Sequence, residues 1–180
     1  MIQNKGECNR MDNLEKNTYV KKEITKALLS LLQKKDLNDI TIRELTLEAG
    51  VGRVSFYRNY KTKEEILEQY IEMLILKWSK EEIQENQPTN ELIKKLFEHM
   101  IDHKDIYTLL YNKNLLYIFR KSLQKIMIKN QELSNIEAYA VAFLSYGLYG
   151  WIEEWLARGL QESADEIYAI LQAQFFMKGS

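Results

Sequence analysis

The sequence predicts an all-α protein of about nine helices, and three observations carry that prediction. Apolar residues recur at intervals of three and four along almost the whole chain, which is the spacing of residues on one helix face. One Pro and seven Gly in 180 residues are too few turn formers for a protein of many strands. Helix-capping patterns and short polar breaks separate the apolar stretches. A hydrophobic fraction of 46% is ample for a buried core.

The composition also indicates where the protein works. No apolar run reaches the length of a membrane span, and the polar N-terminus lacks the apolar centre of a signal peptide. The single cysteine, Cys8, leaves no partner for an internal disulfide. We therefore expect a cytoplasmic protein without a membrane partner.

Charge divides the chain unevenly. Residues 18–63 carry ten Lys and Arg against five Asp and Glu, a balance of +5, whereas residues 64–180 carry twelve against eighteen, a balance of −6. A basic segment on an acidic remainder is expected where only one part meets nucleic-acid phosphate. Chance clustering on solvated helix faces is the alternative. The predicted organisation is a flexible leader over 1–17, a DNA-binding domain over 18–63 and a helical regulatory and dimerisation domain over 64–180.

The basic segment has the pattern of three helices. An apolar stripe predicts the first over about 17–35. Thr41 and Glu44 match a capping box, in which the hydroxyl and the carboxylate cap each other's backbone amides, so the second helix opens there. Gly50 suits the left-handed conformation that ends a helix, and 53–60 follows as a short third helix.

The acidic segment begins with a long fourth helix. A second capping box at Thr62 and Glu65 starts it, and it runs to about residue 85 before a polar break over 86–89. A third capping box, Ser163 with Glu166, precedes the last helix. The remaining helices are predicted near 90–103, 105–112, 114–129, 135–158 and 164–177.

A pair of short helices joined by a tight turn suits the DNA major groove, which admits one α-helix. Val51, Phe56 and Tyr60 can pack against the preceding helices, which leaves the other face of the third helix for DNA. There, Arg53 can pair with a guanine edge and Val54 can contact a thymine methyl group. The predicted DNA-binding residues are Thr41, Ile42, Gly52, Arg53, Val54, Ser55, Tyr57, Arg58, Asn59 and Lys63.

The stretch from Thr41 to Glu64 resembles the helix-turn-helix pattern of the tetracycline-repressor (TetR) family of bacterial transcriptional regulators. Val54 stands where the family often has Gly, and Tyr60 replaces a common Phe, so base contacts cannot be copied from other members. The resemblance covers about residues 18–67. It implies an all-α homodimer that binds a palindromic operator as a repressor and releases it when the C-terminal domain receives a small-molecule inducer or another signal.

Two further surfaces are expected in the acidic segment. Small and apolar residues on the last two helices predict a homodimer interface at Ala140, Phe143, Gly147, Gly150, Trp151, Ile167, Ile170 and Leu171. Aromatic and apolar residues on the middle helices predict an effector pocket lined by Trp78, Met100, Tyr107, Tyr111 and Tyr117, although aromatic residues at this spacing are more often plain core.

Two other classes of function remain as alternatives. His99 and His103 lie four residues apart and can share a metal on one helix face, but the chain has no third His. We interpret both as solvated, and we expect no catalytic residue, metal or cofactor. The second alternative is a helical protein-interaction module whose basic face binds an acidic partner instead of operator DNA.

Overall fold

The computed structural model describes residues 5–82, 89–128 and 132–175, and over these residues the chain is all-α, as predicted. A short 3-10 helix, Leu37–Asp39, precedes α2. The nine α-helices in the described residues are α1 (Lys5–Leu32), α2 (Ile42–Glu48), α3 (Arg53–Asn59), α4 (Lys63–Glu82), α5 (Thr89–Asp102), α6 (Lys104–Asn112), α7 (Tyr117–Ile128), α8 (Asn135–Ala157) and α9 (Ala164–Phe175).

Most helix boundaries agree with the sequence analysis, but the first does not. Helix α1 begins at Lys5, well before the predicted start near residue 17. No Pro interrupts residues 5–16, and the Lys, Glu, Leu and Met residues there favour helix, so the helix extends through most of the expected leader. The predicted helix ends at residues 85, 129 and 177, and the break at 86–88, lie outside the described residues.

The chain forms two compact units, and the boundary falls within α4. The N-terminal unit extends to Tyr70. In it, α1 packs against α2 and α3, and α2 packs against α3. These helices, the turn before α2 and the start of α4 share a small core of fully buried side chains, among them Ile24, Leu28, Leu32, Ile40, Leu45, Phe56, Ile66 and Leu67.

The C-terminal unit begins at Ile71. Helix α8 packs against α6 and α7, while α5 packs against α6 and α9. An edge-to-face contact of 5.6 Å between the rings of Phe97 and Trp155 joins α5 to α8 in its core. Across the described part of the chain, no helix is both long and apolar enough to cross a bilayer.

Local capping chemistry fixes where several of these helices begin. The Thr41 hydroxyl accepts a hydrogen bond from the Glu44 amide at 3.1 Å, and Ser163 with Glu166 forms the reciprocal pair predicted for α9. A capping box at Ser134 starts α8 and was not predicted. Gly50 adopts a φ of +64°, as expected for the residue that ends α2.

Candidate nucleic-acid interface

Helix α3 packs against α1 and α2 through one face. Phe56 is fully buried and Tyr60 is 3% exposed, which confirms these two residues of the predicted packing face, whereas Val51 is half-buried. The Phe56 ring lies edge-on to Tyr57, with 5.2 Å between ring centroids, and the Lys21 ammonium lies 5.7 Å from the Tyr60 ring centroid. The burial of Phe56 and Tyr60 therefore orients a helix that is only seven residues long.

The opposite face of α3 is open. Val54 is 72% exposed and Tyr57 is 57% exposed, and Arg53 and Arg58 are exposed beside them. Neither arginine has an ion-pair partner within the described ranges. Two uncompensated guanidinium groups, a phenol and a branched apolar side chain therefore project from one short helix.

Three other predicted residues frame this face. Gly52 is the exposed N-cap of α3. Ser55 and Asn59 are half-buried, and the Asn59 side-chain amide donates a hydrogen bond to the Ser55 carbonyl oxygen at 2.8 Å. One of the two side-chain amide protons of Asn59 is thus used in a hydrogen bond within the helix, and the other is available for a second hydrogen bond.

The start of α2 is less suited to an anion than its sequence indicated. The Glu44 carboxylate lies in the first turn, and the Lys35 ammonium bonds it at 2.6 Å. This Lys35 hydrogen bond is the main reason that the pKa of Glu44 is lowered. A carboxylate at this position opposes a phosphate, so the contacts expected of Thr41 and Ile42 stay predictions.

Lys63 is directed into its own unit. Its ammonium donates to the carbonyl oxygens of Leu37 and Ile40, and a third carbonyl, that of Asn38, lies 3.5 Å away. The predicted role of Lys63 was a contact with phosphate. In the free protein its three protons instead meet the turn that precedes α2.

Sequence reasoning missed a contribution from α1. A groove of about 620 Å³ lies between α1 and α3, and Lys16 and Asn17 line it together with Ser55, Arg58 and Asn59. The prediction of a flexible leader up to residue 17 left Lys16 and Asn17 out of the expected DNA-binding residues. The helix-compatible composition of 5–16 was the available signal.

The first half of α8 carries the most exposed apolar residues of the C-terminal unit. Ile136 is 82% exposed, and Tyr139 and Phe143 are each 76% exposed. A Cβ atom built at Gly147 or Gly150 would meet no atom within 4 Å apart from those of its chain neighbours and its own helix backbone, so packing within the chain does not require glycine there. Of the remaining residues predicted for the interface, Ala140 is exposed, Trp151 is half-buried and Ile170 is 40% exposed.

Ile167 and Leu171 differ from the other residues predicted for the interface. They are 6% and 5% exposed in a single chain. The reason is that α9 packs against α5 of the same unit, where the Lys94 ammonium also bonds the Asp165 carboxylate at 2.6 Å. The structure therefore corrects their placement: both are core residues of the chain itself.

The predicted effector pocket is largely filled. Met100 and Tyr107 are fully buried by packing, and Tyr111 and Tyr117 are half-buried. A cavity of about 200 Å³ lies between α4 and α5, and Trp78 is the only predicted pocket residue among those that line it. Its lining residues are Leu74, Lys77, Trp78, Glu81, Glu82, Lys95, Glu98, His99, Asp102 and His103.

One histidine beside this cavity departs from its expected environment. His99 is 6% exposed, and its Nε2 lies 2.9 Å from the Tyr107 hydroxyl oxygen, so the interpretation of His99 as solvated was wrong. Burial, with help from His103 at 4.6 Å between ring centroids, lowers the pKa of His99 to about 4. Among the described residues, no three His, Cys, Asp or Glu side chains form a group that could hold a metal ion.

A short cationic helix exposed on a packed three-helix unit is typical of helix-turn-helix transcriptional regulators. Comparisons with known proteins identify the family within that class. The family model described as "Bacterial regulatory proteins, tetR family" matches residues 24–70, and that described as "Transcriptional regulator C-terminal region" matches residues 87–175. The chain belongs to the TetR family of transcriptional regulators, whose members are not enzymes.

Individual relatives are more distant. The chain is 35% identical over 105 residues to the uncharacterized HTH-type transcriptional regulator YerO of Bacillus subtilis; the match covers 53% of this chain and 36% of that protein. The chain thus matches about a third of the length of this curated relative.

Two solved structures share the fold. A TetR transcriptional regulator from Streptococcus agalactiae aligns with a TM-score of 0.66 at 21% identity, over 92% of this chain and 98% of that one. The dihydroxyacetone kinase operon activator DhaS aligns with a TM-score of 0.52 at 18% identity, over 86% and 95% of the two chains. At these identities the two structures support the fold alone.

Proposed function

We propose that this protein binds operator DNA sequence-specifically and acts as a cytoplasmic repressor. The observation that carries the proposal is the open face of α3, where Arg53, Val54, Tyr57 and Arg58 are exposed while Phe56 anchors the helix from behind. Exposed arginines that have no ion-pair partner among the described residues suit phosphates and guanine edges, because the guanidinium group presents several donors in one plane.

The residues of α3 take different roles in this proposal. Arg53, at the first turn, reads a guanine edge, and Val54 contacts a thymine methyl group. Tyr57 and Arg58 bind phosphates. Ser55, which is half-buried at the edge of the helix, assists this phosphate contact. Phosphate contacts set the register on the duplex, whereas the base contacts select the sequence.

The groove between α1 and α3 extends the same surface. Lys16 and Arg58 both line it, so a DNA strand that passes α3 meets cationic side chains from two helices. This arrangement widens the interface beyond the few base pairs that one short helix can cover.

The proposed DNA-binding form of the protein is a homodimer. Ile136, Tyr139 and Phe143 expose an apolar surface on α8 of a kind that marks protein interfaces. Ala140, Gly147 and Gly150 let a second α8 approach closely. Twofold pairing places two α3 helices about 34 Å apart on a palindromic operator.

Release from the operator is proposed to occur when a small molecule or another signal acts on the C-terminal unit. Helix α4 contributes residues to both units, and the cavity of about 200 Å³ lies beside its C-terminal half. A ligand that binds one conformation of this region more tightly than the other shifts the dimer towards that conformation.

The test is a binding titration with two duplexes. The operator is the inverted repeat found upstream of the gene or selected from a random duplex pool, and the competitor is random duplex of equal length. We expect a preference of about 10³-fold or more for the operator and a steep loss of affinity as salt increases. Equal binding of both duplexes would favour a module whose basic face binds an acidic protein.

Two variants assign the contacts. Arg58→Ala and Tyr57→Phe are each expected to weaken operator binding while the dimer mass measured by light scattering stays unchanged. Loss of the dimer in either variant would instead indicate a structural role. A reporter placed behind the operator gives the sign of regulation: deletion of the regulator raises expression for a repressor and lowers it for an activator.

A further inference from the structure

The cavity between α4 and α5 lies entirely in the C-terminal unit, because its lining residues run from Leu74 to His103. Its volume is about 200 Å³, and exposed charged side chains surround its opening. A closed apolar cavity of about 150 Å³ accommodates one benzene molecule. This partly open cavity therefore suits an organic ligand of about ten non-hydrogen atoms.

Acidic groups outnumber basic groups on the wall of this cavity. Four carboxylates and two lysine ammonium groups line it. Three of the carboxylates each lie 3.9 Å or less from a lysine ammonium: Glu81 from Lys77, Glu82 from Lys95 and Glu98 from Lys94. Asp102, the last residue of α5, has no hydrogen-bond or ion-pair partner among the described residues. A cation in the cavity would therefore meet one carboxylate that no lysine neutralises.

Three rings also line the cavity. Trp78 is 7% exposed and His99 is 6% exposed, with 5.8 Å between their ring centroids, and the His103 ring lies 4.6 Å from that of His99. Burial is the main reason that the pKa of His99 is lowered to about 4, so this ring is uncharged near neutral pH and does not repel a cation. Flat rings suit the apolar part of a small ligand, and an indole face attracts an ammonium group.

The indole nitrogen of Trp78 is a buried donor without an acceptor. Its Nε1 has no hydrogen-bond partner among the described residues, whereas the Trp155 indole N–H donates to the Glu162 carbonyl oxygen at 3.1 Å. An unsatisfied buried N–H destabilises the conformation that contains it. Because Nε1 is covered in the free protein, a ligand acceptor reaches it only when the cavity wall adjusts. Such a bond would therefore favour a ligand-bound conformation over the free one.

We propose that the cavity between α4 and α5 binds a small organic ammonium compound that also carries a hydrogen-bond acceptor. Asp102 pairs with the ammonium group, the rings of Trp78 and His99 contact the apolar part of the ligand, and the Trp78 indole N–H donates to the acceptor. This ligand is the small molecule of the proposed release from operator, on which the inference rests.

Two other kinds of ligand fit the cavity less well. An organic anion would meet the excess of carboxylates, including the unneutralised Asp102. A metal ion would need at least three suitably placed donors, and no such group of His, Cys, Asp or Glu side chains occurs in the part of the chain that the structure describes.

The first experiment compares three probe molecules of nearly equal size. 2-Phenoxyethylamine has an ammonium group and an ether oxygen, 2-phenoxyethanol keeps the ether oxygen but is neutral, and 3-phenylpropylamine keeps the ammonium group but lacks the ether oxygen. Isothermal titration calorimetry is performed on the whole chain without DNA. We expect 2-phenoxyethylamine to bind with a Kd of about 1 mM or lower. We expect 2-phenoxyethanol to bind at least about fivefold more weakly. Equal binding of these two probes, or no binding of either amine up to about 10 mM, would overturn the proposal.

Asp102→Asn tests the carboxylate. The substitution removes the charge at an exposed position and keeps the shape of the side chain, so we expect the fold to be retained and the preference for 2-phenoxyethylamine over 2-phenoxyethanol to disappear. Asp105→Asn is the matched control, at an exposed residue of α6 that does not line the cavity, and should keep the preference. A preference that persists in Asp102→Asn, or that both variants lose equally, would contradict the role of Asp102.

Nitrogen-15 NMR of the indole groups tests the acceptor on the unmodified protein. The signal of Trp78 is identified by its loss in Trp78→Phe. We expect 2-phenoxyethylamine to shift the Trp78 indole proton downfield, because it gains a hydrogen bond, and 3-phenylpropylamine to shift it less. The Trp155 indole proton already has an acceptor and should not respond to either amine. No shift, or an equal shift with both amines, would show that Trp78 does not bind the acceptor of the ligand.

Operator titrations separate this inference from the proposed release. They are performed with saturating 2-phenoxyethylamine and with 2-phenoxyethanol at the same concentration. Weaker operator binding with the amine alone supports both the ammonium site and the release. If the amine binds the free protein with the expected charge preference but leaves operator affinity unchanged, the proposed release fails while the ammonium site stands.

Discussion

The two units of this protein expose opposite kinds of surface. The N-terminal unit buries a small apolar core and presents Arg53 and Arg58 on a short helix, whereas the C-terminal unit exposes Ile136 and Phe143 on a long one. Cations without an ion-pair partner in the described part of the chain suit a polyanion, and exposed apolar side chains suit a second protein surface. The comparison supports the proposal that the first unit reads DNA and the second self-associates.

The units also differ in how the exposed side is selected. In the N-terminal unit, caps and a left-handed Gly50 set the length and direction of helices only seven residues long. In the C-terminal unit, α8 has apolar residues on all sides, and the packing of α6 and α7 decides which of them stay exposed. Local chemistry thus selects one surface, and tertiary packing selects the other.

The largest expected effect tests whether the units are independent. Phe56→Ala removes a fully buried ring from the core of the N-terminal unit and is expected to cost about 3–5 kcal/mol in free energy of unfolding. Amide hydrogen exchange is then expected to show loss of protection in α1–α3 and retained protection in α5–α9. Equal loss throughout would show that the two units unfold as one, which would break the comparison.

Acid is expected to act mainly on the C-terminal unit. Burial of His99 lowers its folded pKa from 6.5 to about 4, so between these pH values the unfolded chain binds more protons than the folded chain. The stability contributed by neutral His99 is complete above pH 6.5 and decreases as the pH falls towards 4, by up to about 3 kcal/mol.

Urea unfolding of the wild type and His99→Gln at about pH 7.5 and about pH 4.5 measures this effect, with the variant as the control that cannot titrate. We expect a smaller loss of stability in His99→Gln than in the wild type. Identical losses in both proteins would exclude His99 as the cause.

A charge introduced on α8 is expected to separate the protomers. Phe143→Glu replaces a side chain that is 76% exposed in the single chain, so folding should tolerate it. The dissociation constant of the dimer is expected to increase by about 100-fold or more, which corresponds to about 2.7 kcal/mol. Sedimentation equilibrium measures the mass. Leu47→Glu, at an 80% exposed residue of α2, is the matched control and should leave the dimer intact. A monomer from the control, or a dimer from Phe143→Glu, would reverse the assignment of surfaces.

The smallest effect compares the same capping interaction in both units. Thr41→Ala removes the cap of α2, and Ser134→Ala removes the cap of α8; each is expected to cost about 1 kcal/mol of stability. Only Thr41→Ala is expected to weaken operator binding, because α2 supports the reading helix. Operator titrations and thermal unfolding on both variants check this, and equal weakening by Ser134→Ala would count against the separation of roles.

Much of the N-terminal unit was predictable from sequence. The Thr41 cap, the Gly50 turn and the buried face at Phe56 and Tyr60 all follow from interactions between residues close in the chain. The inward direction of Lys63 did not follow, because its acceptors lie 23 to 26 positions away and are backbone atoms. A residue pattern cannot show which carbonyls a turn leaves free.

In the C-terminal unit, the sequence predicted the helices but not which of their faces are covered. Ile167 and Leu171 on α9 have the same apolar character as Phe143 on α8, yet the first two are buried and the third is open. His99 was likewise interpreted as solvated before its contact with Tyr107 was known.

The sequence by itself determined the helical fold, the caps of α2 and α9, the family and the charge of α3, since each depends on neighbours in the chain or on composition. Only the tertiary structure decided which apolar faces stay open, which cations remain unpaired and where the cavity lies. Burial depends on elements that meet across the fold, and the spacing of residues along one helix carries no information about those neighbours.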